Sequence, residues 1–157
     1  MKTTKNILSL ILLITVLTFT SCNSNDDDNP SDNSSDNKIT LTIDNGSEIV
    51  YTDVTGVVLA DKLTIAASNS DSDLQIILNS DISQGTYTSP AQIGISHSVN
   101  SQAVFNFATN MTSISFVVTS HDVSAKHIKG TYTLNYMDNQ DNNISHTATG
   151  TYDVKYH

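Results

Sequence analysis

From Lys38 to the C-terminus the dominant period of apolar residues is two, and this alternation constrains the chain more than any other feature. Ile39, Leu41 and Ile43 alternate with Thr40 and Thr42. Leu63, Ile65 and Ala67 repeat the pattern, as do Leu74, Ile76 and Leu78, then Ile93 and Ile95, Phe105 and Phe107, and Ile114, Phe116 and Val118. A period of two marks strands with one buried and one solvated face. Clusters of Asn, Asp, Ser and Gly separate the runs, as at Asp44–Ser47, Ser68–Asp73, Asn79–Asp81 and Met137–Asn143. These residues form turns through local side-chain bonds or tolerance of positive φ. No helical stripe of convincing length competes. The spacing predicts an all-β domain over 38–157, an antiparallel β-sandwich or flattened barrel of about eight to ten strands.

Composition supports the same fold. Thr, Ser, Asn and Asp dominate the polar residues, and Glu48 is the only Glu. Such a palette suits pleated surfaces better than helix surfaces. Cys22 is the sole cysteine, so no intramolecular disulfide or thiolate metal cluster can form. The core must rest on burial and ladder hydrogen bonds.

The C-terminal hairpin is the clearest piece. Gly130-Thr-Tyr-Thr-Leu-Asn-Tyr136 is echoed by Gly150-Thr-Tyr-Asp-Val-Lys-Tyr156, and a third Gly-Thr-Tyr stands at Gly85–Tyr87. Two full copies suit consecutive strands of a meander better than a solenoid. Pairing Tyr136 with Ile144 sets Leu134 opposite His146, Tyr132 opposite Ala148, Gly130 opposite Gly150 and Ile128 opposite Tyr152. This register puts Tyr132, Leu134, His146, Tyr152 and Val154 on an inner face. Thr131, Thr133, Thr147 and Thr149 fall on an outer one. A one-residue slip would mix the two sets.

The first 37 residues are unlike the rest. Lys2 and Lys5 precede an apolar run from Ile7 to Phe19, which is too short to span a bilayer and fits a signal h-region. The junction Phe19-Thr20-Ser21-Cys22 resembles a lipobox, although Phe19 stands where Leu, Val or Ile is usual. The resemblance implies a leader over 1–21, a diacylglyceryl group on the Cys22 sulfur and a membrane partner reached through that lipid. Residues 22–37 then form an acidic tether without aliphatic or aromatic side chains, expected to be disordered. Its Asp26-Asp27-Asp28 resembles the export signal of surface lipoproteins in Bacteroidota. It implies display at the cell surface on the outer membrane; the alternative is retention on the periplasmic side. With the Gly-Thr-Tyr meander, these features make the chain similar to small, uncharacterised β-rich lipoproteins of Bacteroidota. That group has no assigned activity, so no functional residue carries over.

Charge narrows the function. The net charge is −9, with no Arg, and loss of Lys2 and Lys5 with the leader takes it to −11. Nucleic-acid binding needs cations to displace condensed counterions, so that class is set aside. Binding an anionic membrane through a basic patch fails for the same reason. Gly94-Ile-Ser-His-Ser98 is a near miss for a nucleophile elbow, lacking the second Gly and lying in an alternating strand. His97, His121, His127, His146 and His157 show no tight ligand spacing, though His121-Asp122 with His127 would need a fold-back to hold a metal. The loop Asp138–Asn143 lacks the Gly and terminal Glu of an EF-hand loop. Nothing nominates the carboxylate pair of a glycosidase.

No catalytic residue, metal site or cofactor is therefore predicted. The expected function is non-catalytic binding of a protein or glycan. One alternative is a carrier with an apolar pocket in the sandwich, where His146, Tyr132, Tyr136 and Tyr152 would form the lining. An envelope hydrolase ranks below both. The tyrosines are otherwise expected in the core with their hydroxyls at its rim.

Overall fold

The computed structural model describes residues 37–157, residue 142 excepted. The leader, Cys22 and the Asp26–Asp28 run lie outside these residues. The described chain is all-β, with eleven strands in two antiparallel sheets. In chain order they are β1 (Lys38–Ile43), β2 (Ile49–Tyr51), β3 (Asp53–Leu59), β4 (Lys62–Ser68), β5 (Ser72–Asn79), β6 (Gly85–Tyr87), β7 (Ile93–Val99), β8 (Gln102–Asn106), β9 (Met111–Asp122), β10 (His127–Met137) and β11 (Ser145–Lys155). One sheet runs β2-β1-β11-β10-β9-β6 and the other β3-β4-β5-β7-β8. The sheets do not close into a barrel. The count exceeds the expected eight to ten because β2 and β6 have three residues each, too few to show a period.

Alternation places the core as expected. Ile39, Leu41, Leu63, Ile65, Leu74, Ile76, Leu78, Ile93, Ile95, Phe105, Phe116 and Leu134 are all buried. The segment Ile49–Leu59 shows no single phase in the sequence, and the topology explains why. Tyr51 is buried in one sheet and Val54 in the other, so the inward parity flips where the chain crosses at Thr52. Phe107 corrects the expected alternation. β8 stops at Asn106, whose side chain accepts the Ala108 N–H at 2.8 Å and turns the chain. The Phe107 ring then lies over Gly94 on the outer face, where a Cβ would stand 3.1 Å from it.

The β10–β11 register also corrects the sequence reading. Tyr136 pairs with His146, Leu134 with Ala148, Tyr132 with Gly150 and Gly130 with Tyr152. The shift is two residues, so the faces survive while the partners change. Tyr132 and Tyr152 each lie opposite a glycine of the neighbouring strand. The missing side chains let the rings cross. The Tyr132 hydroxyl passes Gly150 and donates to the Thr40 carbonyl at 2.7 Å. The Tyr152 hydroxyl passes Gly130 and donates to the Val117 carbonyl at 2.9 Å. Both ladders yield at those points. β1–β11 pairing lapses at Thr40 and Leu41, and the β9–β10 register shifts between Lys129 and Gly130. Hydroxyls expected at the rim are thus buried partners for backbone carbonyls that would otherwise be unsatisfied.

Side chains fasten two corners of the sandwich. Asn37 donates to the carbonyls of Val54 and Lys155 and accepts the Lys155 N–H. His157 exchanges backbone bonds with Gly56 and Val58 of β3. On the β8 side, the Asn110 amide donates to the carbonyls of Val104 and Met137, and Asn139 donates to Ala103. These contacts occupy sheet edges that would otherwise invite pairing with another chain.

Candidate functional site

Two concavities merit comparison. The first holds part of the set nominated from the sequence. At one end of the sandwich, a pocket of about 390 Å³ is lined by Ile43, Asp44, Val99, Tyr136, Asp138 and His146, among others. Asp44 and Asn45 take positive φ values of 50° and 58°, a conformation that Asp and Asn tolerate. The turn aims the Asp44 carboxylate back at β11. His146 Nδ1 donates to it at 2.5 Å, and the Thr147 N–H donates to its other oxygen at 2.8 Å. His146 Nε2 faces Asp138 at 3.6 Å. The bond to Asp44 raises the His146 pKa, and that same bond lowers the Asp44 pKa. Asp138 is lowered chiefly by the backbone N–H groups of Asp141 and Gln140. Asp44, Asp138 and His146 each hold partners in the protein, and together they tie the β1 turn to the β10–β11 loop.

The structure does not unite the four residues proposed as a pocket lining. Tyr136 stacks on His146 with ring centroids 5.2 Å apart, and burial pushes its phenol up to about 12. Tyr132 and Tyr152 stand deeper in the core and spend their hydroxyls on Thr40 and Val117. Burial raises both of those pKa values too. The other histidines also depart from a metal site. His121 bonds the Ile82 carbonyl and the Tyr156 hydroxyl, both at 2.7 Å, and His127 bonds Asp153. Among the described residues no group of three His, Cys, Asp or Glu converges to hold an ion. His97 faces the core beside Phe105, and neither ring nitrogen has a partner among the described residues.

The second concavity is a trough of about 630 Å³ on the outer face of the five-stranded sheet. Strand pairing aligns its lining in two rows. Asp53, Ser68, Asp73, Ser98 and Ala103 are successive partners across β3, β4, β5, β7 and β8. Thr55, Ala66, Gln75, Ser96 and Asn106 form the second row on the same strands. Between the rows lie Ala67, Leu74, His97 and Phe105, whose side chains are buried in the core. They therefore meet the trough with main-chain atoms, and the short Ala and Ser side chains beside them keep that floor open. A third row, Val57, Thr64, Ile77 and Gly94 with Phe107 above it, makes one flank apolar. Among the lining residues no Lys appears, and the one imidazole points inward.

Sequence reasoning missed this trough. Parity alone could have turned Ser68, Gln75 and Ser96 outward. Their assembly into rows depends on which strands are neighbours, and alternation carries no record of that. No protein-family model matches the chain, and no curated protein is significantly similar to it.

Proposed function

We propose that this chain is a lipid-anchored envelope lipoprotein whose sandwich binds its ligand without catalysis, on the outer face of the five-stranded sheet. The lipobox at Ser21-Cys22 supports anchorage in the outer membrane, and the Asp26-Asp27-Asp28 run supports display at the cell surface. The observation that carries the binding assignment is the trough, a solvent-facing concavity whose hydrogen-bonding side chains, the Ser68–Asp53 contact and the Asn106 bond to Ala108 apart, have no partner among the described residues. The charged groups of the end pocket, Asp44, His146 and Asp138, bond to one another, which favours a structural role there.

A carrier would need apolar space between the sheets. Tyr51, Tyr132, Tyr152, Phe105 and Phe116 fill that space with essentially no exposure, which supports a surface site over an internal one. An enzyme needs titratable groups converging in a cleft. The carboxylates of Asp53 and Asp73 stand on separate strands with Ser68 between them.

Obstruction of the trough tests the assignment. Ser96→Arg with Ser98→Arg should abolish retention of the soluble domain on envelope and capsular material. Thr131→Arg with Thr149→Arg, on the outer face of the other sheet, should leave retention intact. Equal loss, or equal retention, in both pairs would overturn the choice of face.

A further inference from the structure

The spacing of the trough carries the reading one step further, and this step rests on the trough being the binding face. Adjacent strands lie about 4.8 Å apart. Taken together, the two rows therefore present at least one polar side chain on each of five strands at that interval, a span of about 19 Å. The interval is close to the length that one sugar ring adds to an extended glycan. A ligand lying across the strands would meet a new pair of side chains at nearly every ring.

The side chains suit such a ligand chemically. Asp53 and Asp73 offer acceptors for paired hydroxyls. Gln75 offers both donors and an acceptor, Asn106 its amide donor, and the hydroxyls of Thr55, Ser68, Ser96 and Ser98 can do either. Ala66, Ser68, Ser96 and Ser98 are short enough for rings to approach the floor. Val57, Ile77 and Phe107 give the C–H faces of sugar rings an apolar flank. Charge decides between ligand classes. Two carboxylates with no cation among the lining side chains disfavour acidic sugars and phosphate. A polycation would want the carboxylates clustered, whereas neutral groups separate them in the row and the Ser68 hydroxyl already faces Asp53 at 3.4 Å.

We infer that the trough binds an unbranched, uncharged glycan laid across the strands, with about one sugar unit per strand. Titration calorimetry with uncharged gluco-, xylo- and manno-oligosaccharides, from disaccharide to hexasaccharide, tests this. For at least one series, affinity should climb with each unit and level off near the pentasaccharide, gaining tenfold or more over the disaccharide. It should change little between low and high salt. Asp73→Asn and Gln75→Ala should each weaken binding about tenfold at unchanged melting temperature, and Thr133→Ala should not weaken it. Affinity independent of length, or no binding by any series, would overturn the inference. Tight, salt-sensitive binding of oligolysine, lost in Asp73→Asn, would overturn the glycan while keeping the trough. Glycan binding untouched by the trough variants would overturn the face itself.

Discussion

At the scale of single residues, burial and hydrogen bonding separate neighbours that look alike in sequence. Tyr132 is buried and holds the Thr40 carbonyl, while Thr133 beside it faces water. Removing a buried aromatic costs about 3–5 kcal/mol, against well under about 1 for an outward Thr→Ala. Tyr132→Ala should therefore lower the melting temperature severely, and Thr133→Ala hardly at all. Tyr132→Phe should fall between them, because it leaves a buried carbonyl unpaired at about 1–3 kcal/mol. Equal melting of the Ala variants would refute the placement. His97 makes a pH prediction. Its buried ring has no partner among the described residues, and desolvation lowers its pKa to about 4 from 6.5. The unfolded chain therefore takes up this proton first as pH falls. Stability should be full above about pH 6.5 and decline from there toward pH 4, by about 2–3 kcal/mol from this residue. Denaturant titrations across that range should show the decline in the wild type and a flatter curve in His97→Phe. His146 works in the opposite sense. Its raised pKa adds stability at low pH that is lost as pH rises through the folded value.

At the scale of elements, the Gly-Thr-Tyr repeat of β10 and β11 finds its physical reason in the crossing of rings over glycines. Glycine in a strand usually gains from replacement by Ala, because Ala loses less entropy on folding. Gly150 should behave otherwise, since a Cβ there collides with the Tyr132 ring and the Thr40 carbonyl. Gly150→Ala should destabilise by about 1–3 kcal/mol or more, and a second change, Tyr132→Leu, should recover part of that loss. Absence of any coupling between the two in a double-mutant cycle would contradict the crossing geometry. This arrangement was half legible in the sequence. Alternation assigned Tyr132, Leu134, Tyr152 and Val154 to one face, and all four are buried there. It could not tell the true register from one two residues away, because parity is identical in both. The Gly–Tyr pairing breaks the tie, and it depends on the three-dimensional fit of ring to gap. His146 shows the same limit. Its parity is inward, yet it stands at the end of the sheet, half-exposed and paired with Asp44.

At the scale of the whole molecule, the chain spends its two outer faces differently. Thr131, Thr133, Thr147, Thr149 and Thr151 of the six-stranded sheet stand exposed. The five-stranded sheet carries the trough between an acidic row and an apolar flank. The fold class could be read from period and turns. The site could not, because its rows draw on five strands from Asp53 to Asn106 whose order only the topology supplies. Amide-resolved NMR of the folded domain, titrated with soluble envelope polysaccharide, tests the central claim most directly. The account predicts shifts confined to the trough, at Ala66, Ser68, Asp73, Gln75, Ser96 and Ser98, with Thr131, Thr133 and Thr149 unmoved. Shifts centred on the threonine face or on the His146 end, with the trough silent, would contradict it.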